Sequence, residues 1–482
     1  MNFTIPDRFA VALVAALMPC MSAAFNSGST GADGDFNPTV NLELQLPPSG
    51  IFNFRSVNVP NGVTITFKRN ATNTPVVMLV QGDAAIHGVL VLDGGASRDT
   101  GNAGDGNVQD DGMPGKGGPG GFDGGHGGLP KPYDVVQPDC SNFFDLPQTR
   151  GGDGLGPGGG LGTQAFLGRG GSCGYWNASS GNPGVSSSNA ELQPLIGGSG
   201  GGGSPGGQAH IRGVGGGGGG GALLLAVSGT LRVNGRISAK GGGSGAFGFI
   251  LGDVSRTLGG VGSGGSIRIV ATTLSGAGNV FVSSPVAVSH GRVRVELEFY
   301  NGQLVTDALT TFGPPGQLFL SGLPGLRFTR VGAATVPASP TGSSDVTLPA
   351  AASGVTTVEL QTSAIPVGSV IKVVVTPSTG AGSSVDAPPT TGSVNAAVTS
   401  ASVEFPVGHS VLSASVTYTV TAAAGAALSR FAQGEPVQRI TLTAHWGSAG
   451  TMSLETVSGR HVEVVGQALA MALAEAGGSM HK

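Results

Sequence analysis

Apolar and polar positions alternate in two stretches that superpose without a gap: VVMLVQGDAAIHGVLVLDGG from Val76 and LLLAVSGTLRVNGRISAKGG from Leu223. Val76 falls on Leu223, Met78 on Leu225, Val80 on Val227, Ile86 on Val233 and Leu90 on Ile237, with Gly82 on Gly229 and Gly88 on Gly235. A two-residue period belongs to a strand with one buried face, so each copy predicts two short strands meeting at a glycine corner. A looser third copy, GGSIRIVATTLSGAGNVFV, starts at Gly264. GRVRVELEF (291–299) predicts a final strand, with Val293, Val295, Leu297 and Phe299 inward and Arg292, Arg294, Glu296 and Glu298 outward. Upstream, Val57, Val59 and Ile65 precede Met78, Val80 and Ile86 by 21 residues.

A spacing of about twenty residues is one coil of a parallel β-helix, each coil stacking its inward aliphatics on the one before; a lone rung cannot bury its face, so several are needed. The pattern, apolar residues alternating up to a glycine corner and closed by a glycine cluster, resembles the glycine-rich, pectin-lyase-like β-helices of exported bacterial proteins. It covers roughly residues 28–299. The resemblance implies a right-handed parallel β-helix, a fold that hosts polysaccharide lyases and hydrolases as well as non-enzymatic adhesins. From about residue 325 the glycine runs stop, and TTVELQT, SVIKVVVTP, ASVEFPVG and SVLSASVTYTVT alternate between turns. Regular short strands of this kind predict an antiparallel β-sandwich, similar to the Ig-like modules of bacterial surface proteins.

The expected fold class is therefore all-β: a glycine-rich parallel β-helix over 25–312 with an Asp/Gly-rich loop region at 93–220, a linker at 313–325, an Ig-like sandwich over 326–430, and C-terminal strands and tail over 431–482. Composition agrees, because 39% hydrophobic residues oppose disorder while only 5% are aromatic, leaving an aliphatic core. With 89 glycines and 30 prolines, the glycine tracts read as connections between strands, or as bundled polyproline II segments packed closely for want of side chains. The seven consecutive glycines of Gly215–Gly221 exceed what any turn requires.

At the N-terminus, Arg8 precedes an apolar run from Phe9 to Met18, and Ser22-Ala23-Ala24 follows. The run is too short to span a bilayer and suits a signal-peptide core, with cleavage after Ala24. The expected location is exported: periplasm, cell surface or medium, with no transmembrane segment in the mature chain. Cys20 leaves with the signal peptide, and the remaining pair, Cys140 and Cys173, predicts a disulfide.

Between Asp83 and Asp153 lie eleven Asp, no Glu and four basic residues, in a chain whose net charge is only −4. Asp105, Asn107, Asp110 and Asp111 in DGNVQDDG are the best grouping of hard oxygen ligands for Ca²⁺. The stretch departs from EF-hand spacing, however, and Asp is equally a turn residue bonding its own backbone. Asp83, Asp93, Arg232, Arg236, Lys240 and Arg268 are the charged residues that the strands expose; catalysis on glycans would need such groups to converge on one face. Tyr175 and Trp176 form an aromatic pair suited to stacking on a sugar ring. The histidines are scattered, and the slightly acidic balance argues against nucleic acid. These residues predict a non-catalytic structural or adhesive element whose partners are extracellular polysaccharide or cell-surface components. A polysaccharide lyase or glycoside hydrolase on the same scaffold is the alternative.

Overall fold

The computed structural model describes residues 24–98, 111–129, 151–156, 184, 190–204, 213–244, 258–286, 289–319, 324–336, 346, 348, 354–377, 382–406, 410–421, 427–446, 451–464, 469 and 471–473. Among them the chain is all-β, with two parallel sheets in the first half and two antiparallel sheets in the second.

The larger parallel sheet joins β1 (Asp35–Phe36), β4 (Ser56–Val59), β7 (Ala84–Ile86), β9 (Ala222–Val233), β11 (Ser266–Gly276), β13 (Arg292–Gly302) and β15 (Leu309–Gly313), with β3 (Ile51–Phe54) and β6 (Val76–Val80) also pairing into it. The smaller is ordered β2 (Leu42–Gln45), β5 (Thr64–Lys68), β8 (Val89–Val91), β10 (Arg236–Ser238), β12 (Asn279–Phe281) and β14 (Val305–Thr306). The chain visits the two sheets in turn, and their inward Val, Leu, Ile and Phe side chains form one aliphatic cluster from Leu46 to Val295. Burial of each such side chain contributes about 1.5–3 kcal/mol.

The ungapped match read from the sequence is the pairing register. Val76 pairs with Leu223, Met78 with Leu225 and Val80 with Val227; Ile86 pairs with Val233 and Leu90 with Ile237. Gly88, Gly235 and Gly278 stack at the corner, where a Cβ on either of the later two would strike the backbone of the preceding glycine. The upstream offset of 21 is corrected, because the early turns differ in length. Val57 pairs with Ala84, Val59 with Ile86, Ile65 with Leu90, and Phe52 with Met78. Phe299 is corrected as well. A register shift between Ala271 and Thr273 displaces the pattern, and Phe299, opposite Thr273, is 59% exposed. Nor is its strand the last, since β14 and β15 follow.

The outer face of the larger sheet is also covered. Leu192 and Leu195 pack on Val77, Leu79, Leu224 and Val270, with Phe25 and Leu318 against the same patch.

The glycine tracts are the chief departure from a reading as loops. Gly215–Gly221 is wholly buried, with no positive φ, and bonds only to other segments. Gly216 and Gly219 donate to Gly125 and Phe122, Gly217 and Gly220 to Gly260 and Ser263, and Gly218 and Gly221 to Gly95 and Leu92, at 2.7–3.0 Å. Their carbonyls accept from three further directions: Gly115 and Gly118, Gly201 and Gly198, and Gly242 with Ser266 beyond it. A three-residue period with every bond made to a neighbour is that of packed polyproline II helices. The tract lies at the centre of such a bundle. A Cβ on any of Gly215–Gly221 would meet a neighbour's carbonyl oxygen, so each of the seven positions demands glycine.

In the second half, one sheet is ordered β17 (Ala334–Thr335), β16 (Gly325–Val331), β18 (Gly354–Ser363), β22 (Ala396–Phe405), β21 (Thr391–Ser393). The other is β20 (Ser383–Asp386), β19 (Lys372–Pro377), β23 (Ser410–Thr421), β24 (Val437–Trp446), β25 (Thr451–Thr456), β26 (His461–Val464). Phe328, Val358 and Leu360 of the first share a core with Val373, Val375 and Val416 of the second. The second sheet runs past residue 430, where the sequence pattern placed a boundary, because β24 pairs along the length of β23.

Candidate functional site

Of the residues singled out for chemistry, Cys140, Cys173, Tyr175, Trp176, Asp105, Asn107 and Asp110 lie outside the described residues. Asp111 is described and fully buried. Among the described residues, no three of His, Cys, Asp and Glu are grouped to hold a metal ion.

The strand-borne charges have structural duties. Asp83 Oδ1 accepts the Thr230 N–H at 2.6 Å, and Asp93 Oδ1 accepts the Ser238 hydroxyl and the Lys240 N–H at 2.6 and 2.7 Å. Each carboxylate thus ties one strand of a parallel pair to its neighbour. Lys240 Nζ lies 4.9 Å from the centroid of the Phe281 ring, while Arg232 and Arg236 are exposed.

Two clusters do combine a carboxylate with cations. In the first, Glu296 takes Arg268 Nε and Nη2 at 3.0 Å each, Arg294 Nε at 3.2 Å and the Gly316 N–H at 2.9 Å. Arg268 also donates to the carbonyls of Gln317 and Leu318. The side chains of Arg268 and Glu296 are both 3% exposed, although the strand period placed them outward. The segment after β15 folds over them and is held there. In the second, Asp123 accepts Arg69 at 3.0 Å, Lys116 at 2.9 Å and the Gly117 N–H at 2.9 Å, with its side chain 9% exposed. Burial pushes the Asp123 carboxyl up, but Arg69, Lys116 and the two hydrogen bonds outweigh it and hold it below its ordinary value. Both carboxylates have their oxygens occupied and face away from solvent. They staple the fold and offer no base or nucleophile.

The glycine bundle has two distinct ends. Its near end joins the parallel sheets, where Gly221 bonds Leu92 and Gly265 bonds Ala239. At the far end Arg98 pairs with Met113, Ser97 bonds Gly243, Gly128 bonds Ser204, and Gly213 bonds Gly128. Gly151 lies against Gly203, Gly215 against Met113 and Gly259 against Gly215, so these described residues gather at that one end. Sequence reasoning missed this convergence. Its signal was the return of Gly121, Gly124 and Gly127 at three-residue intervals in GGFDGGHGG. Compared with known protein families, characterised proteins and solved structures, the chain matches none, and the functional reading rests on this geometry.

Proposed function

We propose that this chain is an exported, non-catalytic protein of the envelope or the extracellular space that binds surface polysaccharide through the far end of its glycine bundle. In this reading the two parallel sheets wind as a right-handed β-helix, the two antiparallel sheets form an Ig-like sandwich, and Cys140 and Cys173 close a disulfide. The carrying observation is the bundle itself. Interlocked backbone without side chains makes a stiff pedestal, and Arg98, Met113, Gly128, Gly151, Ser204, Gly213 and Gly259 gather at its far end, the kind of rigid scaffold end on which binding surfaces are carried. The occupied carboxylates of Asp123 and Glu296 favour binding over hydrolysis or elimination.

The test is retention of the purified protein on a panel of acidic and neutral bacterial polysaccharides, beside a variant in which 205–212 and 245–257 are replaced by Gly-Ser linkers. Retention of the parent and its loss in the variant, with unchanged circular dichroism, is the expected outcome. No retention by the parent, or release of reducing or unsaturated ends from any polysaccharide, would overturn the proposal. Ca²⁺ at Asp105, Asn107, Asp110 and Asp111 is checked by the melting temperature with and without the ion.

A further inference from the structure

We infer that hydrolysis of the Ala24–Phe25 peptide bond completes this fold, because the α-ammonium it creates on Phe25 takes Glu298 as its partner. The inference rests on the export reading above and adds what processing does to the molecule.

Phe25 N lies 2.8 Å from Glu298 Oε1, across 273 residues of chain. The contact belongs to a docked strap. The Phe25 ring packs on the apolar outer face of the larger parallel sheet. Two residues on, the Ser27 N–H donates to Ser228 Oγ at 3.0 Å, and Ser27 Oγ donates to the Val80 carbonyl at 2.8 Å. Ser29 Oγ donates to the Phe54 carbonyl at 2.8 Å. The strap thus crosses β9, β6 and β3, while Ala24 is exposed and its bond to Phe25 open to a peptidase.

The charge arrangement at Glu298 is the second observation. Its neighbours on the same sheet face, Arg268 and Arg294, are both committed to Glu296 and to backbone carbonyls of 312–318. Among the described residues, the Phe25 N–H is the one donor Glu298 has, and it makes no ion pair. An uncleaved chain offers this carboxylate a single neutral amide. Cleavage by the peptidase of the export route breaks the Ala24–Phe25 C–N bond with one water. The hydroxyl goes to the Ala24 carboxyl and the hydrogen to Phe25 N, which takes a further proton below its ordinary pKa of about 7.7–8.0. Three N⁺–H donors then stand where one N–H stood, and a charge-assisted bond is roughly twice as strong as a neutral one. The position is selective, because one residue of extended chain spans about 3.3–3.6 Å. Cleavage one bond earlier carries the ammonium out of reach, and one bond later removes the Phe25 anchor.

Because Glu298 favours the charged amine, the Phe25 α-amine has its pKa raised in the folded protein. The stability it adds is complete below about pH 7.7 and is lost as pH rises through the folded value. The full chain, with its own N-terminus, is expressed in a Gram-negative bacterium, and the exported fraction is read by N-terminal sequencing and intact mass. A start at Phe25 is expected. An exported protein starting elsewhere overturns this inference and leaves export standing; retention in the cytoplasm with residues 1–24 attached overturns both. The α-amine of the exported protein is then titrated by its pH-dependent acylation, followed by mass spectrometry. Glu298→Gln, which keeps an acceptor and the strap, is expected to lower its pKa by about half a unit or more. An unchanged value would overturn the ion pair.

Discussion

Gly242 and Gly243 are neighbours in the chain with opposite surroundings, and alanine at each separates packing from chain entropy. A Cβ on Gly243 meets nothing within 4 Å, whereas one on Gly242 would strike the carbonyls of Gly95 and Gly94. Neither glycine has a positive φ, so neither substitution strains the backbone. Both remove the same freedom from the unfolded chain, which stabilises by about 0.4–1 kcal/mol. For Gly243→Ala that is the whole effect. For Gly242→Ala the methyl must push neighbouring packed segments apart, at about 1–3 kcal/mol for overpacking. It also loosens the bonds from Gly242 N to Gly218 O and from Gly218 N to Gly95 O, 2.8 and 3.0 Å long, each worth about 1 kcal/mol. The expected result is stabilisation by about half a kcal/mol for Gly243→Ala and loss of about 2–4 kcal/mol for Gly242→Ala. Urea unfolding followed by circular dichroism measures both midpoints. If the two variants shift together within about 0.5 kcal/mol, the error of an independent pair, the bundle does not pack as described.

Two further outcomes concern the buried charges. Arg268→Ala strands Glu296 among Arg294 and the Gly316 N–H, and is expected to cost about 3–5 kcal/mol, while replacing Arg268 and Glu296 together by Met is expected to recover most of it; equal losses in the single and double variants, by denaturant titration, would refute the coupling. Asp123, whose carboxyl is held below its ordinary value, adds stability above about pH 4 that is lost as pH falls through its folded value. Asp123→Asn should therefore flatten the stability profile below pH 4, and an unchanged acid limb would remove Asp123 from that role.

The parallel pairings were legible because period-two apolar residues state both their inward face and their partners in the next strand. Val76 and Leu223 could be matched across 147 residues without knowing what lies between. The switch to antiparallel sheets near residue 325 was equally visible, in the loss of glycine and the rise of Thr and Val. The early register was misread because β3 to β8 are joined by turns of unequal length, which a fixed offset cannot follow. Arg268 and Glu296 were placed outward by their period, and outward they are. Only the return of residues 316–318 over that face buries them, and no alternation along a strand records what the chain does fifty residues later. The glycine tract shows the division most sharply. Seven glycines were more than any turn requires, but glycine, having no side chain, carries no mark of its neighbours. The six segments around Gly215–Gly221 come from between residues 92 and 266. Their meeting is decided by carbonyls and N–H groups that every residue shares, so only the assembled backbone could say which of them pair.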